Sequence, residues 1–202
     1  MIDVYEGNGP IDWQRVYNDG VRRAYIKLSE GTDHLDARCK HNLRDARLLG
    51  IQVGVYHYAG SSNAHVLRSP VAEARFFLRN ALANGAFKPG DLPPALDLEE
   101  TYGHPWAFLN DWKAQWFAAV DAEVGCRAAF YSYYYFWKQM TLYPDRPVWG
   151  AALGATFVPP PTWAIHQYSF TGTVPGITGH VDLDRVLWEP KTIGGADGSA
   201  TS

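Results

Sequence analysis

The sequence predicts an α/β chain: five β-α units followed by three strands joined by loops. Two patterns predict it. Eight short apolar runs recur along the 202 residues, and helical patterns lie between the early ones. A third observation sets the ending. After "PVWGAAL" the links lose helical character and turn to Gly, Pro and Thr. Parallel neighbours need crossovers of about a dozen residues or more; antiparallel neighbours do not. A small closed barrel of eight strands with about five helices fits this order, and an open doubly wound sheet is its rival.

The elements follow in chain order. Strands are expected near "IDVYEG" (2–7), "RAYIKLSE" (23–30), "QVGVYHY" (52–58) and "PALDLE" (94–99). Four more are expected near "AAFYSY" (128–133), "PVWGAAL" (147–153), "WAIHQYS" (163–169) and "HVDLDRV" (180–186). Helices are expected over 12–19 and over 35–49, the second closed by Gly50. The clearest spans 69–84: Ser69-Pro70 supplies a cap and a first-turn proline. Ala74, Phe77, Leu78, Ala81 and Leu82 then trace one apolar stripe. Leu109, Trp112, Trp116, Ala119 and Val120 repeat the stripe over 105–124, and a shorter helix is expected at 134–141. "GATFVPPP" is too short and Pro-rich for a crossover helix, and "FTGTVPGITG" suits a hairpin. Residues 1–190 therefore form one domain, and "KTIGGADGSATS" (191–202) reads as a flexible tail or linker stub.

Composition narrows the function. The chain is 47% hydrophobic and 19% charged, with net charge −3. That balance gives no basic surface for nucleic acid or anionic lipid. No segment reaches the length of a membrane span. "MIDVYEG" has neither a basic region nor a long apolar stretch, so no signal peptide is expected and synthesis in a cytoplasm is. Cys39 and Cys126 fit no metal spacing and read as free thiols. Eight Trp and twelve Tyr serve core packing, ligand stacking, or both.

Polar residues collect where the strands end, the place where a β/α barrel builds its active site. They are Glu30, Tyr56, His57, Asp97, Glu99, Tyr131, Tyr133, Trp149, Gln167 and Asp182, with Asp3 early in the first strand. In "PPALDLEE" (93–100), Ala95, Asp97 and Glu99 share one strand face; Leu96 and Leu98 share the other. Two carboxylates about 7 Å apart would face one cleft. Desolvation and mutual repulsion raise their proton affinities, so one can stay neutral as an acid beside an ionised partner. Glycoside hydrolysis uses that division. A metal site, or a strand end whose acids are simply solvated, is the competing explanation of the octapeptide. "GNGPID" lacks the third glycine of a dinucleotide loop. There is no phosphate loop, no H-E-x-x-H and no G-x-S-x-G. His57 and His166 are expected to be hydrogen-bonded packing residues.

Taken in order, "DVYEGNGPIDWQRV", "YIKLSEGTDHLD", "GVYHYA", "ALDLEE", "FYSYYYF", "VWGAAL" and "HQYSFTGTVPGITGHVDLDRV" resemble the family 25 glycoside hydrolases, the Chalaropsis-type lysozymes of phage endolysins and bacterial autolysins. The resemblance runs from Asp3 to about Trp188. It implies a TIM-like barrel, (β/α)5(β)3, and an N-acetylmuramidase that cuts the β-1,4 bond between N-acetylmuramic acid and N-acetylglucosamine. It implies Glu99 as general acid, Asp97 as its partner, and Asp3 and Asp182 as further acids of the cleft floor. Glu30, Tyr56, Tyr131, Trp149 and Gln167 fall where the family lines its sugar groove, with Trp149 expected to be an open sugar platform. No metal and no cofactor are implied. The partner is bacterial peptidoglycan, without nucleic acid or membrane insertion, and the chain is expected to be a monomer acting on the wall. The first strand departs from the family pattern at Tyr5 and Glu6, and the loop "AGSSNAHVLRS" departs along one wall. Two further readings compete: a non-catalytic glycan-binding module on the same barrel, and a metal-dependent hydrolase using His57 and Asp97.

Overall fold

The computed structural model describes residues 1–61, 63–141, 143–154 and 156–195. Its strands are β1 (Ile2–Val4), β2 (Arg23–Glu30), β3 (His34–Leu35), β4 (Gln52–Tyr58), β5 (Ala95–Asp97), β6 (Ala129–Tyr133), β7 (Val148–Ala151), β8 (Trp163–Gly172) and β9 (Val181–Val186). Its helices are α1 (Trp13–Asn18), α2 (Cys39–Leu48), α3 (Pro70–Ala83), α4 (Trp106–Val124) and α5 (Tyr134–Gln139). β1 pairs with both β2 and β9, so eight strands close into a barrel and the open sheet is excluded. β3 is a two-residue return on the rim of β2.

Six of the seven links between the eight barrel strands run as expected. The exception is the link after β7, which returns to a parallel neighbour with no helix among its described residues, Trp149 pairing with Ile165. The turn-rich link after β8 does make an antiparallel hairpin, and β9 is also antiparallel to β1. α2 begins at Cys39 rather than at residue 35. Leu35 is taken by the pairing with Ser29, and buried Asp36 turns the chain by accepting the Arg38 and Glu6 amides.

Strand alternation divides the core in two. Tyr25, Tyr56, Ala95, Ala129, Tyr131, Trp149 and Ala151 fill the barrel interior. Ile26, Val53, Val55, Leu96, Leu98 and Phe130 pack outward beneath the helices. This is the period-two pattern of a strand buried on both faces. Gly54 sits opposite Tyr25, and a Cβ there would run into the Tyr25 ring. Outside, Phe77 of α3 meets Trp116 of α4 at 5.5 Å between ring centroids. Leu82 leaves the expected stripe and is 58% exposed. At 3.6 residues per turn it points about 80° away from Ala74.

Cys39 and Cys126 are free. Within the expected tail, Ile193 is buried and exchanges backbone hydrogen bonds with Gly90 and Asp91. Residues 196–202 lie outside the described residues. No described helix is long and apolar enough to cross a membrane.

Candidate active site

The parallel strands aim their last inward residues at one barrel mouth. Asp3, Tyr5, Lys27, Tyr56, Tyr58, Asp97, Glu99, Tyr131, Tyr133, Trp149, Gln167, Phe170 and Asp182 line a cleft of about 390 Å³ there. A larger hollow of about 740 Å³, beside Cys126 and Trp188, holds acids that are already neutralised. Asp121 pairs with Arg146 at 2.7 Å, and Asp145 with Arg127 at 2.8 Å. The chemistry therefore belongs to the smaller, acidic cleft.

Pairing register explains how the acids meet. Asp3 lies directly across from Asp182 in the antiparallel β1–β9 pair. Opposed residues of such a pair share a face, and like charges there repel. Asp97 ends β5, and Glu99 follows on the same face, as the octapeptide predicts. Gln167 links the two sides. Its amide donates to Asp3 Oδ2 at 2.9 Å, and its oxygen accepts from the Tyr131 hydroxyl at 2.7 Å. Asp97 Oδ1 is buried without a hydrogen-bond partner.

Burial is the largest cause of every carboxyl shift in the cleft. It drives Asp3 and Asp97 well above the ordinary carboxylate range, with Asp184 and Asp182 adding to Asp3 and Glu99 adding to Asp97. Glu99 and Asp182 are also raised. One expectation is corrected here. Asp97 does not raise Glu99; its hydrogen bond, with those of Tyr131 and Tyr133, pulls Glu99 back toward ionisation. Glu99 in turn raises Asp97. The two carboxyls thus titrate as a coupled pair.

Two assigned residues sit differently from expectation. Trp149 is only 2% exposed. It stacks on Tyr25 at 4.6 Å and donates its indole N–H to Asp184 Oδ1 at 2.8 Å. It is a buried floor, not an open platform, because its strand position points into the barrel rather than over the rim. Glu30 stands behind the lining, at 2.8 Å from Lys27 Nζ. A register shift between Lys27 and Ser29 turns both Lys27 and Glu30 toward the interior. Regular alternation would have put them on opposite faces.

His57 faces away from the cleft. It is fully buried, with Nδ1 2.9 Å from Ser29 Oγ and Nε2 3.1 Å from Glu73 Oε2. Glu73 also accepts the Gly60 and Arg68 amides, tying the 59–68 loop to the barrel. His57 and Asp97 therefore occupy opposite sides of the sheet, and they do not form the metal pair. His166 bonds the Ala152 carbonyl. Among the described residues, no group of three or more His, Cys, Asp or Glu is arranged to hold a metal ion.

Sequence reasoning missed Lys27, Asp184 and the exposed rings Tyr5 and Phe170. Lys27 carried a signal, two residues after inward Tyr25 on the same strand. Asp184 likewise follows Asp182 by two in "VDLD". Tyr5 follows the end of β1, and Phe170 lies in β8 beyond a register shift after Gln167, so strand alternation reports the direction of neither.

Fold and site together define an α/β barrel whose strand ends gather carboxylates at one mouth, the place where such barrels do their chemistry. The chain belongs to glycosyl hydrolase family 25, whose pattern matches residues 2–177. It is 32% identical to Lysozyme M1 of Streptomyces globisporus over 201 residues, covering 91% of this chain and 66% of that protein. It is 31% identical to the autolytic lysozyme of Clostridium acetobutylicum, covering 91% of this chain and 54% of that one. The chain thus spans less than two thirds of these relatives. The crystal structure of the bacterial lysozyme from Streptomyces coelicolor superposes with a TM-score of 0.81 at 31% identity, covering 92% of this chain and 90% of that one.

Proposed function

We propose that this chain is a lysozyme, an N-acetylmuramidase that hydrolyses the β-1,4 bond between N-acetylmuramic acid and N-acetylglucosamine in bacterial peptidoglycan. The observation that carries the reading is the Asp97–Glu99 pair: two carboxyls of raised proton affinity on one face of a barrel mouth. Family membership and the two lysozyme relatives support it.

In the proposed reaction Glu99 gives its proton to the leaving glycosidic oxygen as the bond to the anomeric carbon breaks. Asp97 orients the substrate's 2-acetamido group for internal attack, or stabilises the positive charge directly. Its unpartnered Oδ1 is a free acceptor for an amide N–H. Water then attacks the anomeric carbon and returns a proton to Glu99. Asp3, Asp182 and Gln167 hold the floor, and Tyr56 and Tyr131 line it with Trp149 beneath. The reaction uses organic groups alone, and the protein works on the wall as a monomer.

Mass spectrometry of products from purified peptidoglycan tests the reading. A reducing muramic acid end is expected. A reducing glucosamine end would make the enzyme a glucosaminidase, and absence of any cleavage would leave a glycan-binding module.

A further inference from the structure

Tyr5 stands where the chain departs from its family's pattern, and it takes no part in the proposed proton transfer. Its ring is 46% exposed and lines the cleft, just beyond the short strand that carries Asp3. A large ring left half in water forgoes the gain of burial, so its place at the cleft rim has another cause. Two are open to it: covering the turn beneath, or meeting a ligand above.

The turn beneath is shaped to seat the ring. Glu6–Asn8 form one 3-10 turn, and a Cβ at Gly7 would run into the phenol end of Tyr5. Gly9 takes a left-handed φ of 69°, but Gly7 has no positive φ to explain it. What glycine supplies at position 7 is room for the ring to rest on the backbone. The turn is fastened on both sides. The Tyr5 amide donates to Asn8 Oδ1 at 2.9 Å, and buried Asn8 donates through Nδ2 to the His180 carbonyl, just before β9, at 3.1 Å. Toward β3, the Glu6 amide donates to Asp36 Oδ2 at 2.6 Å. The Glu6 carboxylate accepts the Ala37 amide at 2.9 Å and lies 3.2 Å from His34 Nε2.

We infer that Tyr5 is a sugar-binding residue for the proposed hydrolysis: its free face stacks on one pyranose ring of the glycan strand beside Asp3 and Asp182, and Gly7 fixes it in that pose. The inference rests on reading the cleft as a glycosidase site. A pyranose offers a flat C–H face to an aromatic ring and hydroxyls at its edge to carboxylates. Tyrosine meets it with a broad, rigid surface and a polar tip. Sheet order adds a second wall. β9 lies between β1 and β8, so the rim segments carrying Tyr5 and Phe170 flank the strand of Asp182, and both rings line the cleft. Two strand spacings, about 9–10 Å, separate those segments, which is room for one sugar between two rings. A ring already seated on its turn loses little freedom when the sugar arrives. A ring that merely covered the turn would contribute to stability and not to affinity.

The test is steady-state kinetics on soluble, uncrosslinked peptidoglycan strands for wild type, Tyr5→Ala, Tyr5→Phe, Gly7→Ala and the double variant Tyr5→Ala/Gly7→Ala, with melting followed in parallel. Tyr5→Ala should raise KM about tenfold with kcat within about twofold, the pattern of a contact made equally in ground and transition states. Its melting should stay close to that of wild type. Tyr5→Phe keeps the stacking ring and should stay within about threefold of wild type in KM. In Gly7→Ala the new methyl pushes the ring off its seat, and KM should rise about fivefold. The double variant has no ring to displace, so its KM should equal that of Tyr5→Ala rather than the product of the two losses. An unmoved KM in Tyr5→Ala, a loss confined to kcat, or single losses that multiply in the double variant would overturn the inference while the hydrolase reading stood. A wild-type protein that releases no sugar ends would overturn the hydrolase reading and this inference with it.

Discussion

Asp184 offers a stability experiment with its sign worked out in advance. It lies buried in the barrel interior, with Oδ1 accepting from Trp149 and Oδ2 without a partner. Burial pushes its pKa from the ordinary 3.8 up to about 8, with the Trp149 hydrogen bond opposing the rise. The folded protein therefore holds a proton on Asp184 that the unfolded chain releases above its ordinary value. Between those two values the folded state binds more protons, so stability falls as pH rises through the window. At neutral pH the gap above the ordinary value is about three units, or roughly 4 kcal/mol at about 1.4 kcal/mol per unit. That figure is a ceiling, because Asp182 and Asp3 titrate with it. Asp184→Asn stays neutral, keeps its shape and can still accept from Trp149. It should match wild type within about 1 kcal/mol near pH 4, where both side chains are neutral. Near pH 7 it should be more stable by up to about 4 kcal/mol, or roughly 8–16 °C in Tm for a chain of this size. Urea denaturation of both proteins at several pH values measures the difference directly. A difference that does not grow with pH, or a variant less stable than wild type near pH 7, would refute the reasoning.

The remaining expectations concern the cleft's walls and its chemistry. Trp149→Ala should lower stability by about 3–5 kcal/mol, the usual loss for a large buried ring. Phe170→Ala, at a ring 43% exposed on the cleft rim, should leave melting unchanged and weaken glycan binding roughly 3- to 10-fold, read by calorimetric titration with soluble glycan. Glu73→Ala strands His57 and two backbone amides. It should cost about 3 kcal/mol and speed proteolysis within 59–68, and an equally resistant loop would show that Glu73 does not anchor it. Wall lysis should survive EDTA; loss of activity with recovery on adding Zn²⁺ would reject a metal-free mechanism.

The barrel was legible where local pattern and tertiary demand agree. Leu96 and Leu98 face the helices while Asp97 and Glu99 face the cleft, because a period-two strand allows no other division. The α4 stripe through Leu109, Trp112, Trp116 and Val120 is buried for the analogous helical reason. What escaped reading breaks period or has none. The displaced register in β2 brings Lys27 beside Glu30, and nothing in "YIKLSE" marks the shift. Trp149 was misjudged because a strand-end position does not reveal depth, which depends on how Tyr25 and Asp184 meet it from other strands. The parallel pairing of β7 with β8 depends on barrel closure, a property of all the strands together.

The proposed hydrolysis depends most directly on the transferable proton of Glu99. Glu99→Gln keeps size and hydrogen bonding and removes that proton. The initial rate of turbidity loss in suspensions of purified walls should fall by at least about 10²-fold, with the far-ultraviolet spectrum and melting retained. A folded Glu99→Gln protein that lyses walls at close to the wild-type rate would contradict the account and remove Glu99 from the chemistry.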